Sequence, residues 1–264
     1  MLLAGLATGC AETQHTDPDL SDKQYQIGAD CFSKGMNRPA LEELLKAVAT
    51  NPNNAEAQHL IGLLSLRQAA DDEALIEQQS CLPADEAKLE RQEVDRLFRE
   101  AEERFRKAVA SRPDFSEGWN SLAVVALHFR EWDRAIEASH RALGNAIYRQ
   151  PWAALGNLGW ALFQKGDLLR ATQELRSSLQ ANPAFCVGRF RLAKVRYQQK
   201  RFDEAAEDLE KVTSDPRCLL QEAHQLAGLV ALHRADRARA TEAFKRCVEL
   251  GPRSCLAKEC RPAL

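Results

Sequence analysis

LGNLGWALFQKGDLLRATQELRSSLQANP, residues 155–183, decides how this chain folds. Its first half carries Leu155-x2-Leu158-Gly159-x2-Leu162 and its second half Ala171-x3-Leu175, and Pro183 closes the stretch. Apolar and small residues at three- and four-residue spacing mark two amphipathic helices in succession, and the proline marks where the second one stops. Gly or Ala in the middle of the first helix and Ala early in the second let the two backbones touch, while larger residues between them fill the core. Ala171 is one of a ladder, Ala40, Ala101, Ala135, Ala171, Ala205 and Ala240, with intervals of 61, 34, 36, 34 and 35 residues.

That period, with an A-x3-F pattern followed by a proline, resembles the tetratricopeptide repeat, whose unit is about 34 residues. Ala101-x3-Phe105 leads to Pro113, Ala171-x3-Leu175 to Pro183 and Ala240-x3-Phe244 to Pro252. The resemblance implies an all-α fold, a right-handed superhelical solenoid of six helix-pair repeats over residues 21–254. Repeat one spans 21–54, with Ile27-Gly28-x2-Cys31, Ala40-x3-Leu44 and Pro52; repeat two starts at Ala55 with Ile61-Gly62 and ends with Phe105, Ala108 and Pro113. Repeat three spans 116–151 with Trp119-x2-Leu122-Ala123, and repeat four 152–185. Repeat five spans 186–220 with Leu192-Ala193, and repeat six 221–254 with Ala227-Gly228-x2-Ala231. A single repeat cannot bury its own apolar face, so the units stand or fall as a stack. Ser254–Arg261 (SCLAKECR) is expected to form a short capping helix, with Lys258, Glu259 and Arg261 in water, inside a tail of residues 255–264.

Between Ala40 and Ala101 lie 27 residues more than one period. The surplus, near 71–97, has helix-forming composition and one clear breaker, Ser80-Cys81-Leu82-Pro83. It reads as an elongated helical hairpin projecting from repeat two, with Glu90, Arg91, Glu93, Asp95 and Arg96 on its solvated faces; the competing reading is a charged loop. Insertions of this kind lie on binding faces in repeat proteins.

The chain has 264 residues with 36 Lys+Arg against 38 Asp+Glu. That balance offers no basic footprint for nucleic acid, and no apolar run reaches the length of a membrane span. There is no Gly-rich phosphate loop, no HExxH and no G-x-S-x-G. The six histidines, 15, 59, 128, 140, 224 and 233, are scattered, so neither an enzyme nor a small-molecule substrate or cofactor is expected. Eight cysteines stand at 10, 31, 81, 186, 218, 247, 255 and 260 with no CxxC, which argues against a metal site and for an oxidising compartment. Cys186 and Cys218, both at the starts of adjacent first helices, are candidates to pair, as are Cys247 and Cys260 (or Cys255). Cys31, inside a predicted helix, reads as a buried thiol.

The first nine residues, MLLAGLATG, read as a truncated-looking lipoprotein signal segment whose start codon lies upstream. Leu6-Ala7-Thr8-Gly9-Cys10 resembles a bacterial lipobox, in which the Cys10 thiol takes the lipid. Residues 10–20, lipidated Cys10 and the polar AETQHTDPDL, read as a tether.

Superhelical stacking puts the first helices on the concave side. The groove candidates are Tyr25, Phe32, Leu63, Leu66, Val124, Leu127, Trp160, Phe163, Phe190, Tyr197, Leu229 and Leu232, with the polar His59, Asn120, His128 and Lys194 among them. The buried registers are already filled by Leu158, Leu162 and Leu192, so Trp160, Phe163, Phe190 and Tyr197 are surplus to the core and centre a hydrophobic groove on repeats four and five. It would hold an amphipathic helix or an extended segment. Lys194, Asn120 and Arg67 are too scattered over the repeats for a carboxylate-clamping cluster.

A lipobox followed by six such repeats resembles the type IV pilus pilotin lipoproteins of the PilF/PilW/Tgl group. Ile147-Tyr-Arg-Gln-Pro-Trp-Ala-Ala154 with Leu158-Gly-Trp-Ala161, Phe185-Cys-Val-Gly-Arg-Phe-Arg-Leu-Ala193, and the late cysteines are most similar to the myxobacterial Tgl branch. The resemblance implies a monomeric lipoprotein at the periplasmic face of the outer membrane. Its partner would be the pilus secretin, whose insertion and multimer assembly it promotes for twitching motility. The alternative is another periplasmic repeat lipoprotein, an adaptor for outer-membrane protein assembly or cell-wall hydrolases.

Overall fold

Asp17 starts the first helix. Its carboxylate accepts the Leu20 N–H at 3.0 Å, and Pro18 supplies a preset φ at the first helical position. Pro18–Leu20 therefore belong to a helix and not to the tether. The computed structural model describes residues 16–78 and 88–263; Cys10 and the Ser80–Pro83 breaker lie outside them. Among the described residues there are thirteen α-helices, a closing 3-10 turn and no strand. Twelve of the helices pair as expected: α1 (Pro18–Ser33) with α2 (Asn37–Thr50), α3 (Ala55–Gln78) with α4 (Lys88–Ser111), α5 (Ser116–His128) with α6 (Trp132–Leu143), α7 (Pro151–Gln164) with α8 (Leu168–Ala181), α9 (Cys186–Gln198) with α10 (Phe202–Thr213), and α11 (Gln221–His233) with α12 (Arg237–Leu250). Each pair packs on the next, and first helices also touch first helices, α1 on α3, α5 on α7, α7 on α9 and α9 on α11.

The alanine ladder is the seam of every pair: Ala40, Ala101, Ala135, Ala171, Ala205 and Ala240 are all buried. Opposite it, a Cβ on Gly159 would lie 2.7 Å from Leu175 Cγ, one on Gly28 2.7 Å from Leu44 Cγ, one on Gly62 2.5 Å from the Phe105 ring and one on Gly228 2.6 Å from the Phe244 ring. Each glycine is thus a socket for the large residue four positions after the ladder alanine. The sockets feed a chain of core clusters, such as Leu158, Leu162, Leu175 and Leu192 in the middle of the stack and Phe98, Phe105 and Leu122 beside the second repeat.

Five of the six pairs turn in the same way. The residue seven after the socket position has a left-handed backbone: Gly35 (φ 73), Arg130 (φ 57), Gly166 (φ 84), Lys200 (φ 61) and Ala235 (φ 57). Around Ala235, its own N–H donates to the Leu232 carbonyl at 3.0 Å and the Asp236 N–H to the Ala231 carbonyl at 2.9 Å. The same double closure recurs at the other four, satisfying carbonyls the helix end would leave open. In repeat two the equivalent residue is Ala69, which is buried inside α3. The turn has been replaced by continued helix, so α3 and α4 each run for 24 residues where the other first and second helices have 12 to 16. The elongated hairpin is present, with Glu90, Arg91, Glu93, Asp95 and Arg96 exposed as expected.

The C-terminal end closes with α13 (Cys255–Cys260), capped by the Ser254 hydroxyl accepting the Ala257 N–H at 3.0 Å. Cys247 bonds Cys260 across a Cα–Cα distance of 6.5 Å, which selects Cys260 over Cys255. Cys186 bonds Cys218 at 5.7 Å; Cys218 lies in the α10–α11 connection, three residues before α11 begins. Cys31 is a free thiol but only half-buried, which corrects the expectation of a buried one. The same face of α1 leaves Ile27 53% exposed where later repeats bury Leu122, Leu158 and Leu192 at that position. No preceding helix pair packs on it among the described residues.

Arg130, Lys200 and Ala235 hold a left-handed conformation that costs a residue with a Cβ roughly 1–2 kcal/mol. Set against the extra freedom glycine has in the unfolded chain, Ala235→Gly is expected to stabilise the protein by about 0.5 kcal/mol, read as a higher urea midpoint. A lower midpoint would mean that the Schellman turn carries no such strain here.

Candidate functional site: the face lined by the first helices

Helical period spreads the α9 sequence CVGRFRLAKVRYQ around four jobs. Leu192, Ala193 and Val195 are buried in the stack, and Cys186 is tied to the next connection. Arg189 and Arg196 turn toward α10, where the buried Asp208 receives Arg196 Nη1 at 2.6 Å and Arg189 Nη1 at 3.6 Å. Phe190, Lys194 and Tyr197, spaced i, i+4, i+7, share the remaining face with Arg191 beside them.

On the neighbouring α7, Trp160 and Phe163 stack with ring centroids 5.0 Å apart. The Arg191 guanidinium lies 5.4 Å from the Trp160 ring centroid, and Lys194 Nζ lies 5.6 Å from Trp160 and 5.3 Å from Phe190. A polar thread runs beneath. Asn157 Nδ2 donates to Asn120 Oδ1, and Arg191 Nη1 donates to Asn157 Oδ1 and to the Gly156 carbonyl, all at 3.0 Å. Burial of the Arg191 guanidinium pushes its pKa down to about 10. The Cys186–Cys218 bond braces the start of the helix that carries this set.

The other groove candidates are placed less uniformly. All are half-buried except Leu232, which is 47% exposed. Tyr25 leans on the Leu44–Ile61 cluster, Leu63 and Leu66 on the Phe98–Leu122 cluster, Leu127 on Ala126 and Ala135, and Leu229 on Phe244. Phe32 sits under the Arg67 guanidinium at 4.2 Å, and Val124 is half-buried on α5. Phe163 packs on the Leu158–Leu175 cluster, and Phe190 and Tyr197 on the Leu209–Val212 cluster. These aromatics are therefore not wholly spare: one side of each belongs to the core and the other half faces solvent, because the apolar arc of a first helix is wider than its core contact.

Two of the polar candidates, His59 and His128, are packing groups, and His233 is a third histidine of the same kind. His59 is buried between the Phe105 and Phe115 rings, with Nε2 2.9 Å from Ser121 Oγ. His128 stacks on Phe98 at 3.6 Å and meets Asp95 Oδ1 at 2.8 Å; His233 stacks on Phe202 at 4.3 Å and meets the Tyr197 hydroxyl at 3.2 Å. Both sit at the ends of first helices and stack on the second helix of the preceding repeat, and His233 also reaches Tyr197 on α9. Sequence reasoning missed Arg191 and Asn157. Their signal was a polar column one repeat apart, Ser121, Asn157 and Arg191, at a register otherwise assigned to the interior.

Crevices also open between consecutive second helices and the first helix that separates them. One of about 460 Å³ lies between α4, α5 and α6, lined by Trp119, Arg106 and Arg141. Another, of about 740 Å³, lies among α10, α11 and α12, with His224, Arg234, Arg239 and Arg246 offset by Asp203, Glu207, Glu210 and Glu242. Cys186, Asp215 and Cys218 bring three potential metal-ligand atoms within 4.8 Å, but the two sulfurs are bonded to each other and Arg217 Nη2 holds the Asp215 carboxylate at 2.6 Å. No helix among the described residues is long and apolar enough to cross a membrane.

Residues 117–258 match the family model described as a tetratricopeptide repeat-like domain. No curated protein matches the chain by sequence. Among solved structures, the fold is similar to that of PilF from Pseudomonas aeruginosa, with a TM-score of 0.68 at 17% identity over 93% of this chain and 98% of that one. PilW, described as a widely conserved type IV pilus biogenesis factor, gives 0.71 at 18% identity over 92% and 99%. YrrB, a repeat protein with an unusual peptide-binding site, gives 0.50 at 16% identity over 83% and 97%. These likenesses establish the fold.

Burial, with the Arg112 cation nearby, holds the His59 pKa at about 4, below its ordinary value near 6.5. The unfolded chain then takes up the proton first, so the contribution of His59 is complete above about pH 6.5 and is lost as the pH falls toward about 4. The loss amounts to about 3 kcal/mol. Urea unfolding of the wild type should steepen over that interval, and His59→Gln, which keeps a partner for Ser121, should flatten the profile. Equal slopes in both proteins would remove His59 as the cause.

Proposed function

Because the chain belongs to the tetratricopeptide repeat-like family, we propose that it is a lipid-anchored pilotin. It binds a segment of the type IV pilus secretin monomer and promotes the insertion and multimer assembly of that channel in the outer membrane. The observation that carries the reading is that this chain covers PilF and the type IV pilus biogenesis factor PilW, and is covered by them, almost end to end. The Trp160–Phe163 stack, half-open on the first-helix face, is the surface on which the secretin segment rests. Lipid on Cys10 holds the module at the periplasmic face of the outer membrane and raises its local concentration there. The kinship to the Tgl branch rests on residues 147–154 and 185–193; Ile147 is 84% exposed on the α6–α7 connection, and Phe185 packs over Gly156 and Gly188. A repeat scaffold presents surfaces and leaves chemistry to its partners, in keeping with a role in assembly.

Trp160→Ala with Phe163→Ala should abolish secretin multimers in the cell while circular dichroism of the purified variant stays helical; normal multimers with that folded variant would sink the groove reading. Cys10→Ala should move the protein from the outer-membrane fraction to the soluble periplasm, and unchanged fractionation would count against the anchor. The second reading, an adaptor for outer-membrane protein assembly or cell-wall hydrolases, gains if a pull-down from solubilised outer membrane returns those components and no secretin.

A further inference from the structure

The charges of α9 are divided unevenly. Of its four cations, Arg189 and Arg196 are neutralised by Asp208, with Glu204 adding a contact to Arg196 at 3.4 Å. Arg191 and Lys194 face the other way, and among the described residues no carboxylate pairs with either. Arg191 has only neutral acceptors, the Asn157 side chain and the Gly156 carbonyl. The facing helix α7, PWAALGNLGWALFQ, has no charged residue. The Trp160 and Phe190 rings offset part of these charges, yet neither cation has a counter-charge, and the partly desolvated Arg191 guanidinium has given up hydration without gaining one. The depressed Arg191 pKa reports that loss. Such a site is completed by an anion that brings its own apolar surface.

We infer that the groove between α7 and α9 recognises an acidic, amphipathic protein segment, with a carboxylate between Arg191 and Lys194 and an apolar side chain against Trp160 and Phe163. This names the chemistry of the partner and rests on the groove proposed above. The specificity comes from the two unpaired cations. A basic segment is repelled, and a neutral one leaves Arg191 as it is in the free protein. Arg191 gives the directional, planar contact, and Lys194, on its flexible stem above both Trp160 and Phe190, gives a mobile charge that follows the carboxylate. The interaction is salt-sensitive because the site is open to solvent on one side.

The test is fluorescence anisotropy of the full chain with a fluorescein-labelled peptide, Gly-Glu-Leu-Phe-Glu-Glu-Leu-Phe-Gly, and its counterpart with Gln at every Glu position. The acidic peptide should bind at least about tenfold more tightly than the Gln peptide. It should lose about tenfold on Arg191→Gln with Lys194→Gln, and should weaken as NaCl is raised. If Arg191→Gln perturbs the fold, Lys194→Gln alone, which breaks no hydrogen bond in the structure, should still cost about threefold. Equal binding of the two peptides, an unchanged affinity in Lys194→Gln, or no binding of the acidic peptide at about 1 mM would overturn the inference. Acidic-peptide binding that is lost in the charge variants, in a protein that fails to capture solubilised secretin, would leave this inference standing and remove the secretin reading instead.

Discussion

The stack depends on how closely two helices within a repeat can approach. At Gly28, Gly62, Gly159 and Gly228 the first helix has no side chain, and the second helix fills the space with Leu44, Phe105, Leu175 and Phe244. The neighbouring alanines of the second helix are buried with no atom to spare. Interiors of this density tolerate little change of volume, so the closeness of one contact fixes the tilt of the pair. The tilt in turn fixes where the next pair can sit. Repeats three and five reach the same geometry with Ala123 and Ala193, which are also buried. Everything on the first-helix face, including the distance between Trp160 on α7 and Lys194 on α9, is set by this repeated approach.

Charge is managed by the same geometry. Second helices place a few acids where the stack covers them. Glu102, almost fully buried, takes Arg99 at 2.8 Å and Arg106 at 2.7 Å and also pairs with Arg134 of the next repeat. These arginines hold its carboxyl below the usual range despite burial. Asp208 shows the opposite balance: burial raises its pKa, and Arg196 and Arg189 only partly restore it. Both acids consume cations on the second-helix side of the stack. Among the described residues Arg191 and Lys194 of the first-helix face pair with no carboxylate, and that asymmetry gives the α7–α9 groove its chemical character.

Much of this was legible in the sequence because a repeat states its rule six times. The ladder alanines gave the register, and register alone placed the helix pairs, the long hairpin, the cap after Ser254 and Cys186 near Cys218, while it left Cys247 between Cys260 and Cys255. What escaped were residues whose role depends on a neighbour in the adjacent repeat. His59 looks like a groove residue on its own helix, yet Phe105 and Phe115 enclose it from α4 and the connection before α5. Arg191 looks interior until Asn157 Oδ1 and the Gly156 carbonyl on α7 are seen to accept its guanidinium. Ile27 and Cys31 follow the pattern of buried positions, yet Ile27 is exposed and Cys31 half-buried, because no helix pair among the described residues packs on that face of α1.

The replacement of one turn by continued helix at Ala69 has a consequence beyond the second repeat. An array of near-identical units offers a partner several equivalent positions, each displaced from the last by a single unit, and nothing in the repeats themselves chooses among them. The helices of repeat two extend for about 36 Å where a 13-residue first helix covers about 20 Å. That step of about 16 Å breaks the translational symmetry at one place near the start of the stack. A partner that touches both the hairpin and the α7–α9 groove can lie along the solenoid in one frame only. The insertion acts as an origin mark on an otherwise evenly graduated rule.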